Sequence, residues 1–461
     1  MAVGTLLTGG TIVRLFGAQL LPLRLFGWLC TVTAIVLPYC TLLNKEQRRT
    51  NLHWLALAFV FMGYGAFQEF SPGTLSVLLL SALWVTQSPI LLGLAVAARF
   101  PNILALLVLI PLWRKRSLWN IPIAAATAGI VYLLGYLFVT PSPMDAAMTS
   151  HDFLPMLTKL WDNAGKLIFY ACMAFAVVAL GKATIKKGSS IIYYLSSILC
   201  GLFLVALVFY YTKPHQWYNM DMTYILSATI LVIALGNLKS LIANRESLIL
   251  IGAAILIVAT LGTDTAWLKL FPAVLCLLPV AAVSYEALMR RYLFIVLAIF
   301  STIVVYRMTT NSIGNNNLTR TQTVASVAPY TGIAIRQAEQ VRLLQYKTDY
   351  DSLQSQITNH QSQILSVGQE NHLLRSVTGC EAARFNEFWS NIYDSVYTAK
   401  YREIIVAEHP IVFCSFSPQF KTKPEYQDQH SCFENMLLDE GYQALDRSQY
   451  KYMIYIHPFT H

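Results

Sequence analysis

The chain has 461 residues, of which 56% are hydrophobic and only 12% charged, with a formal net charge of +9. A water-soluble domain usually carries about 25% charged residues, so the chain as a whole does not read as one soluble globule. Nucleic acid is excluded as the partner of the positive charge, because in residues 1–308 that charge sits in short clusters between apolar runs, as in membrane proteins. The same stretch holds only nine acids (Glu46, Glu69, Asp145, Asp152, Asp162, Asp221, Glu246, Asp264 and Glu286), and the other fifteen of the 24 follow Met308.

A helix needs about 20 apolar residues to cross hydrocarbon, where an unpaired backbone polar group is costly. Runs of this kind predict spans at 20–43, 52–69, 73–88, 119–140, 165–181, 189–212, 223–240, 247–262, 268–285 and 292–308. The apolar segment 90–113 is different, because Arg99-Phe100-Pro101-Asn102 interrupts it. A charge and a proline inside such a run predict two half-helices folded as a hairpin. Residues 141–164 read as an amphipathic helix lying on the outer surface.

Five basic clusters set the sidedness: Lys45-Glu46-Gln47-Arg48-Arg49, Arg114-Lys115-Arg116, Lys182 with Lys186-Lys187, Lys239 with Arg245, and Arg290-Arg291. If 90–113 enters and leaves on one face, all five fall on the same side, and the positive-inside rule makes that side cytoplasmic. The turn around Glu69, the loops 141–164 and 213–222, and the Gly262-Thr263-Asp264-Thr265 turn then face outward with the tail. Six of the nine acids lie in these outward segments.

Residues 309–334, rich in Thr, Asn and Ser, read as a linker, and Asn317-Leu318-Thr319 matches a glycosylation sequon. Leu343, Tyr346, Tyr350, Leu353, Ile357, His360 and Ile364 follow a 3,4 spacing. This predicts an amphipathic helix laid on its own domain, with a short dimeric coiled coil as the alternative. Beyond it, 381–397 and 431–440 read as helical, and Glu403–Ala407, Ile411–Cys414 and Tyr452–Ile456 as strands. The expected fold class is therefore mostly α: a polytopic transmembrane bundle of about ten spans plus a broken hairpin over 1–308, a linker over 309–334, and a small extracytoplasmic α/β domain over 335–461.

Five cysteines (Cys30, Cys40, Cys172, Cys200 and Cys276) lie in apolar runs and read as small hydrophobes. Cys380, Cys414 and Cys432 lie in the tail, where one disulfide can form in an oxidising space. There is no CxxC, zinc spacing, Walker loop, GxGxxG, HExxH or GxSxG in a convincing context, which leaves ATP-driven transport and serine hydrolysis without support.

The runs Thr11-Ile12-Val13-Arg14-Leu15-Phe16-Gly17 and Leu21-Pro22-Leu23-Arg24-Leu25 resemble the entry into an early span of the GT-C glycosyltransferases. The run from Leu91 through Arg99 to Asn102 is similar to that family's Gly-Leu-Ala segment ending in a basic residue. The resemblance covers residues 10–310. It implies a multi-pass inner-membrane enzyme that moves a sugar from a polyprenyl-phosphate donor to a glycan or lipid acceptor on the outer face, with an outward C-terminal domain. The family begins with a further span and an outward loop carrying a catalytic aspartate. Residues 1–19 hold no acid, so the chain is expected to start beyond that unit and to lack that base.

Glu69 and Asp264 are the candidate catalytic acids. Glu69 precedes a Ser-Pro-Gly turn, and the resemblance implies an acid there that helps bind a divalent metal ion or the acceptor. A carboxylate can hold such a cation against a phosphate or polarise a hydroxyl. The alternatives are a solvated helix end for Glu69 and turn capping for Asp264. Lys213, His215, Trp217, Tyr218, Asp221 and Lys269 are candidate substrate contacts, since cations bind phosphates and sugars stack on aromatic faces. Trp and Tyr also belong at the membrane interface without any substrate. Arg99, a charge inside a membrane hairpin, is a candidate by its cost alone, with snorkelling or capping of the broken helix as the alternatives. Two other functions compete: an O-antigen-type polymerase or ligase, disfavoured because the outward loops are poor in arginine, and a non-catalytic scaffold or transport component.

Overall fold

The structure, a computed structural model, describes residues 3–17, 19–64, 70–114, 117–138, 153–186, 220–236, 244–261, 270–310, 322–356, 364–368, 377, 395–415, 433–445 and 452–458. The chain is mostly helical with small sheets. It divides into two units, Met1–Gly17 with Pro22–Arg320, and Ala18–Leu21 with Thr321–His461.

The first unit is all helix where it is described. Its elements are α1 (Val3–Phe16), α2 (Leu20–Leu42), α3 (Lys45–Thr50), α4 (Leu52–Tyr64), α5 (Pro72–Thr86), α6 (Pro89–Ala98), a 3-10 turn (Phe100–Ala105), and α7 (Leu106–Arg114). They continue as α8 (Asn120–Phe138), α9 (Phe153–Lys186), α10 (Met220–Leu235), α11 (Asn244–Ile257) with a 3-10 turn (Val258–Thr260), α12 (Leu270–Ala281) and α13 (Ala287–Thr310). Asn44 caps α3 and Ser71 caps α5, each in a reciprocal box with the residue three positions on. The expected spans map onto α2, α4, α5, α8, α10, α11, α12 and α13, while 189–212 lies outside the described residues. α2 and α8 are long and apolar enough to cross a membrane by length and composition, and the other apolar helices found are 10–17 residues long. Of the surface helix expected at 141–164, residues 141–152 lie outside the described residues, and the boundary expected at 165 is corrected. Phe153–Lys186 is one continuous helix of 34 residues, so no boundary falls at 165.

Helix contacts in this unit rest on small residues and on polar groups that reach across to helix carbonyls. A Cβ at Gly93 of α6 would lie 2.5 Å from the carbonyl oxygen of Ala124 on α8 and 2.6 Å from Thr127 Cβ, so only glycine permits this approach. Likewise Gly252 of α11 leaves room for the Trp84 indole, whose Nε1 donates to Leu248 O at 2.7 Å. Ser81 donates to Ala34 O, Tyr285 to Ile233 O, and Tyr292 to Val177 O.

Helix ends beside four of the five basic clusters come together, those near Lys45–Arg49, Lys182, Arg245 and Arg290-Arg291. Tyr39 donates to the carbonyl of Arg48. Arg290 donates to Asn51 Oδ1 at 3.2 Å. Lys182 Nζ donates to Gly236 O at 2.8 Å and lies over the Tyr285 ring. A small cavity joins Leu42 and Leu43 to Leu248 and to Val283 and Ser284.

In the second unit β1 (Gln322–Val324) and β2 (Ala334–Arg336) form an antiparallel pair within the stretch expected as linker. α14 (Gln337–Gln356) follows. β3 (Ile364–Gly368), β4 (Ile411–Ser415), β5 (Gln443–Leu445) and β6 (Tyr452–Ile456) form a sheet in the order β3-β4-β6-β5, with β3 parallel to β4 and the other pairs antiparallel. Alternation along β4 explains its continuously apolar sequence. Val412 and Cys414 are buried with Tyr401 and Ile405 of α15 (Ser395–Glu408) and with Phe433 and Leu437 of the helix at 433–439. Ile411 and Phe413 are buried on the other face with Leu343 and Tyr346 of α14. The first half of the 3,4 seam thus covers its own sheet, and Ile364 is in a strand instead of the helix. The strand expected at Glu403–Ala407 is corrected to the last turns of α15, because Tyr401 and Ile405, four apart, present one helical face to the core. Cys414 is buried in the sheet, and Cys380 and Cys432 lie outside the described residues.

Candidate functional site

Segment 87–113 leaves and returns to the same place. The carbonyl of Gln87, just after α5, accepts a 3.0 Å bond from the indole Nε1 of Trp113, near the end of α7. Between them α6 stops at Arg99, whose backbone is extended at φ −162° and ψ 115°, and the chain turns through Phe100–Ala105. Pro101 lacks an N–H and suits the first turn of a new helix, which is why the reversal falls there.

A broken helix leaves its last carbonyls without partners. Here three side chains and one backbone N–H satisfy them. Ala95 O accepts from the backbone N–H of Arg99 and from Asn102 Nδ2 at 2.8 Å. Tyr132 of α8 donates to Val96 O at 3.4 Å, and Thr5 of α1 donates to Ala98 O at 3.1 Å. Asn102, fully buried, also donates to Ser76 Oγ at 2.9 Å, which ties the turn to the N-terminal half of α5. Its Oδ1 is buried with no hydrogen-bond partner among the described residues.

Arg99 is 8% exposed. Its Nη1 donates to Ala259 O at 2.5 Å, and its Nη2 donates to Leu261 O. Those carbonyls end α11 and its 3-10 turn, where the helix dipole is negative, so the cation caps a second helix from the tip of the hairpin. Among the described residues no carboxylate lies within ion-pair distance of it. The tip therefore joins two helix ends: the start of α5, which follows Glu69, and the end at Leu261, which precedes Asp264.

Glu69, Lys213, His215, Trp217, Tyr218, Asp264 and Lys269 lie outside the described residues, and Asp221 falls in the first turn of α10. Of the expected site residues Arg99 alone can be examined at its side chain, and it reaches carbonyl oxygens. Asn102 and Ser76 were not expected. A buried asparagine directly after the proline of a broken helix is the signal that could have singled out Asn102. Among the described residues no group of three or more His, Cys, Asp or Glu is arranged to hold a metal ion, so no step is assigned to one. No family model matches the chain, and comparison with curated proteins finds no match either.

Proposed function

We propose that the first unit is a multi-spanning bundle of an inner membrane. In this reading it is a GT-C-like glycosyltransferase that moves a sugar from a polyprenyl-phosphate donor to a glycan or lipid acceptor at the outer face. The observation that carries the reading is the bridge from Ser76 through Asn102 and Arg99 to Ala259 and Leu261. In the sequence Glu69 precedes Ser76 by seven residues and Asp264 follows Leu261 by three, so the two acids expected to act flank the bridged segments. Three further features support it. The apolar face of α8 is hardly covered, with only 11% of its 18-residue apolar window buried, as suits lipid contact. The helix ends of four of the five basic clusters adjoin one another, as a cytoplasmic face requires. The second unit, with a sheet covered on both faces, has the build of a water-soluble domain and would face outward.

Chemically, one carboxylate would take the acceptor's hydroxyl proton while the sugar leaves the lipid phosphate, and a nearby cation would stabilise the departing anion.

The test uses full-length protein in vesicles with a radiolabelled polyprenyl-phosphate hexose and a membrane glycan fraction. Glu69→Gln and Asp264→Asn should each lower transfer by about 100-fold or more. Active transfer that neither substitution changes would exclude these acids from the chemistry. No transfer by the parent protein, with cellular function kept in both variants, would favour the scaffold reading.

A further inference from the structure

At the opposite end of the first unit from the Arg99 turn, a cavity of about 470 Å³ opens between the start of α4 and the start of α13. Its polar wall carries Asn51, His53, Arg290 and Arg291, and its apolar wall carries Phe294 and Ile295. We propose that this cavity binds the phosphate headgroup of an acidic phospholipid, with an acyl chain running along α13. The proposal rests on the reading that this unit spans a membrane with its basic end at the inner leaflet.

Four observations carry it. First, the sequence spacing fits an amphiphile. Arg290, Arg291, Phe294 and Ile295 recur at three- and four-residue steps, so they share one face of α13, with the cations at the mouth and the apolar pair a turn further along. Ile295 is 51% exposed, an open apolar surface where a chain can lie. Second, one guanidinium is held in place. Asn51, 2% exposed, has its Nδ2 bonded to Gln47 O at 2.8 Å and to Thr50 Oγ1 at 3.0 Å. That leaves its Oδ1 aimed at Arg290, 3.2 Å away. Third, the floor is rigid, because the His53 ring packs edge-on against Phe294 at 4.8 Å and Trp54 packs on the same ring. Fourth, among the described residues no carboxylate lines the cavity. Two guanidiniums without a lining acid call for an anion, and arginine's planar fork matches phosphate oxygens. The volume is that of a small-molecule site, larger than a bare phosphate needs.

The experiment compares full-length protein with Arg291→Gln and with Arg290→Gln/Arg291→Gln. Each is extracted from membranes and exchanged into nanodiscs holding equal phosphatidylglycerol and phosphatidylcholine, and the retained lipid is read by native mass spectrometry. The parent should retain phosphatidylglycerol in preference to phosphatidylcholine. The double variant should lose that preference by about tenfold or more, and the single variant in part. Arg291→Lys should keep most of it. Because Arg291 is exposed, the single variant stays informative if the double one fails to fold. Equal retention of the two lipids by the parent, or an unchanged preference in Arg291→Gln, would overturn the proposal. Extraction at alkaline pH separates the two failures. A chain released from membranes by carbonate refutes the spanning reading, whereas a retained chain without lipid preference refutes only the headgroup site.

Discussion

Arg99 and Ala259, 160 residues apart, are joined by a 2.5 Å bond from guanidinium to backbone carbonyl, and this bond pins the tip of a broken helix to the end of another. A buried cation is costly unless its donors are satisfied. Here it is stabilised by carbonyls that would otherwise end a helix unpaired.

Removing that cation should therefore hurt through the carbonyls left behind. Arg99→Met is expected to lower stability by about 2–5 kcal/mol, since two buried acceptors lose their donor. Arg99→Lys should fall between, because an ammonium cannot span both carbonyls as the planar fork does. Thermal unfolding in detergent, followed by the fluorescence of Trp84 and Trp113, measures both.

The α6–α8 contact makes a sharper demand. In Gly93→Ala the new methyl would sit 2.5 Å from Ala124 O, and backbone must move to admit it. The expected loss is about 1–3 kcal/mol. An alanine tolerated there without loss, by the same melting experiment, would show that α6 and α8 do not pack this closely.

In the second unit the phenol of Tyr452 donates to the carboxylate of Asp349, which is 5% exposed, and its ring packs against Tyr346 at 4.4 Å with the planes tilted by 31°. Tyr452→Phe keeps the ring contact and removes one donor to a buried carboxyl group. It should cost about 1.5–3 kcal/mol. Asp349→Asn in the same background should recover part of this, a coupling that a double-mutant cycle by urea unfolding would detect.

His409 and His457 stack at 4.2 Å with planes 14° apart. His409 sits at φ 42°, where the chain turns from α15 into β4. Burial, and then the charge of His409, hold the His457 imidazole below its usual range, with Glu440 opposing. A histidine with a depressed pKa binds its proton more weakly folded than unfolded, so the unfolded chain gains protons first. The stabilisation is complete above about pH 6.5 and is lost as pH falls through the folded value. Hydrogen exchange of β6 should therefore accelerate on acidification below pH 6.5, and His457→Phe should flatten that dependence. An exchange profile that is unchanged in the variant would show that another group controls it.

Much of this architecture was written locally. The apolar runs that became α2, α5, α8 and α13 have the length and composition of helices in any context. Pro101 and Arg99 mark the break because a proline removes a helical donor wherever it sits. Ile411–Cys414 and Tyr452–Ile456 read as strands because branched and aromatic side chains suit a pleated, covered surface. The same rule misplaced Glu403–Ala407, where Ile404, Ile405 and Val406 are helical because a face four residues apart found a core to cover. Carbonyl acceptors carry no residue signature, so nothing in the sequence pairs Arg99 with Ala259 and Leu261, or Trp113 with Gln87. Nor does it bring Arg290 to Asn51, which closes the basic cavity. Those pairings belong to the packed chain, because each spends a donor on a backbone oxygen or an amide that any residue order could have supplied, and only the fold decides which one lies within reach.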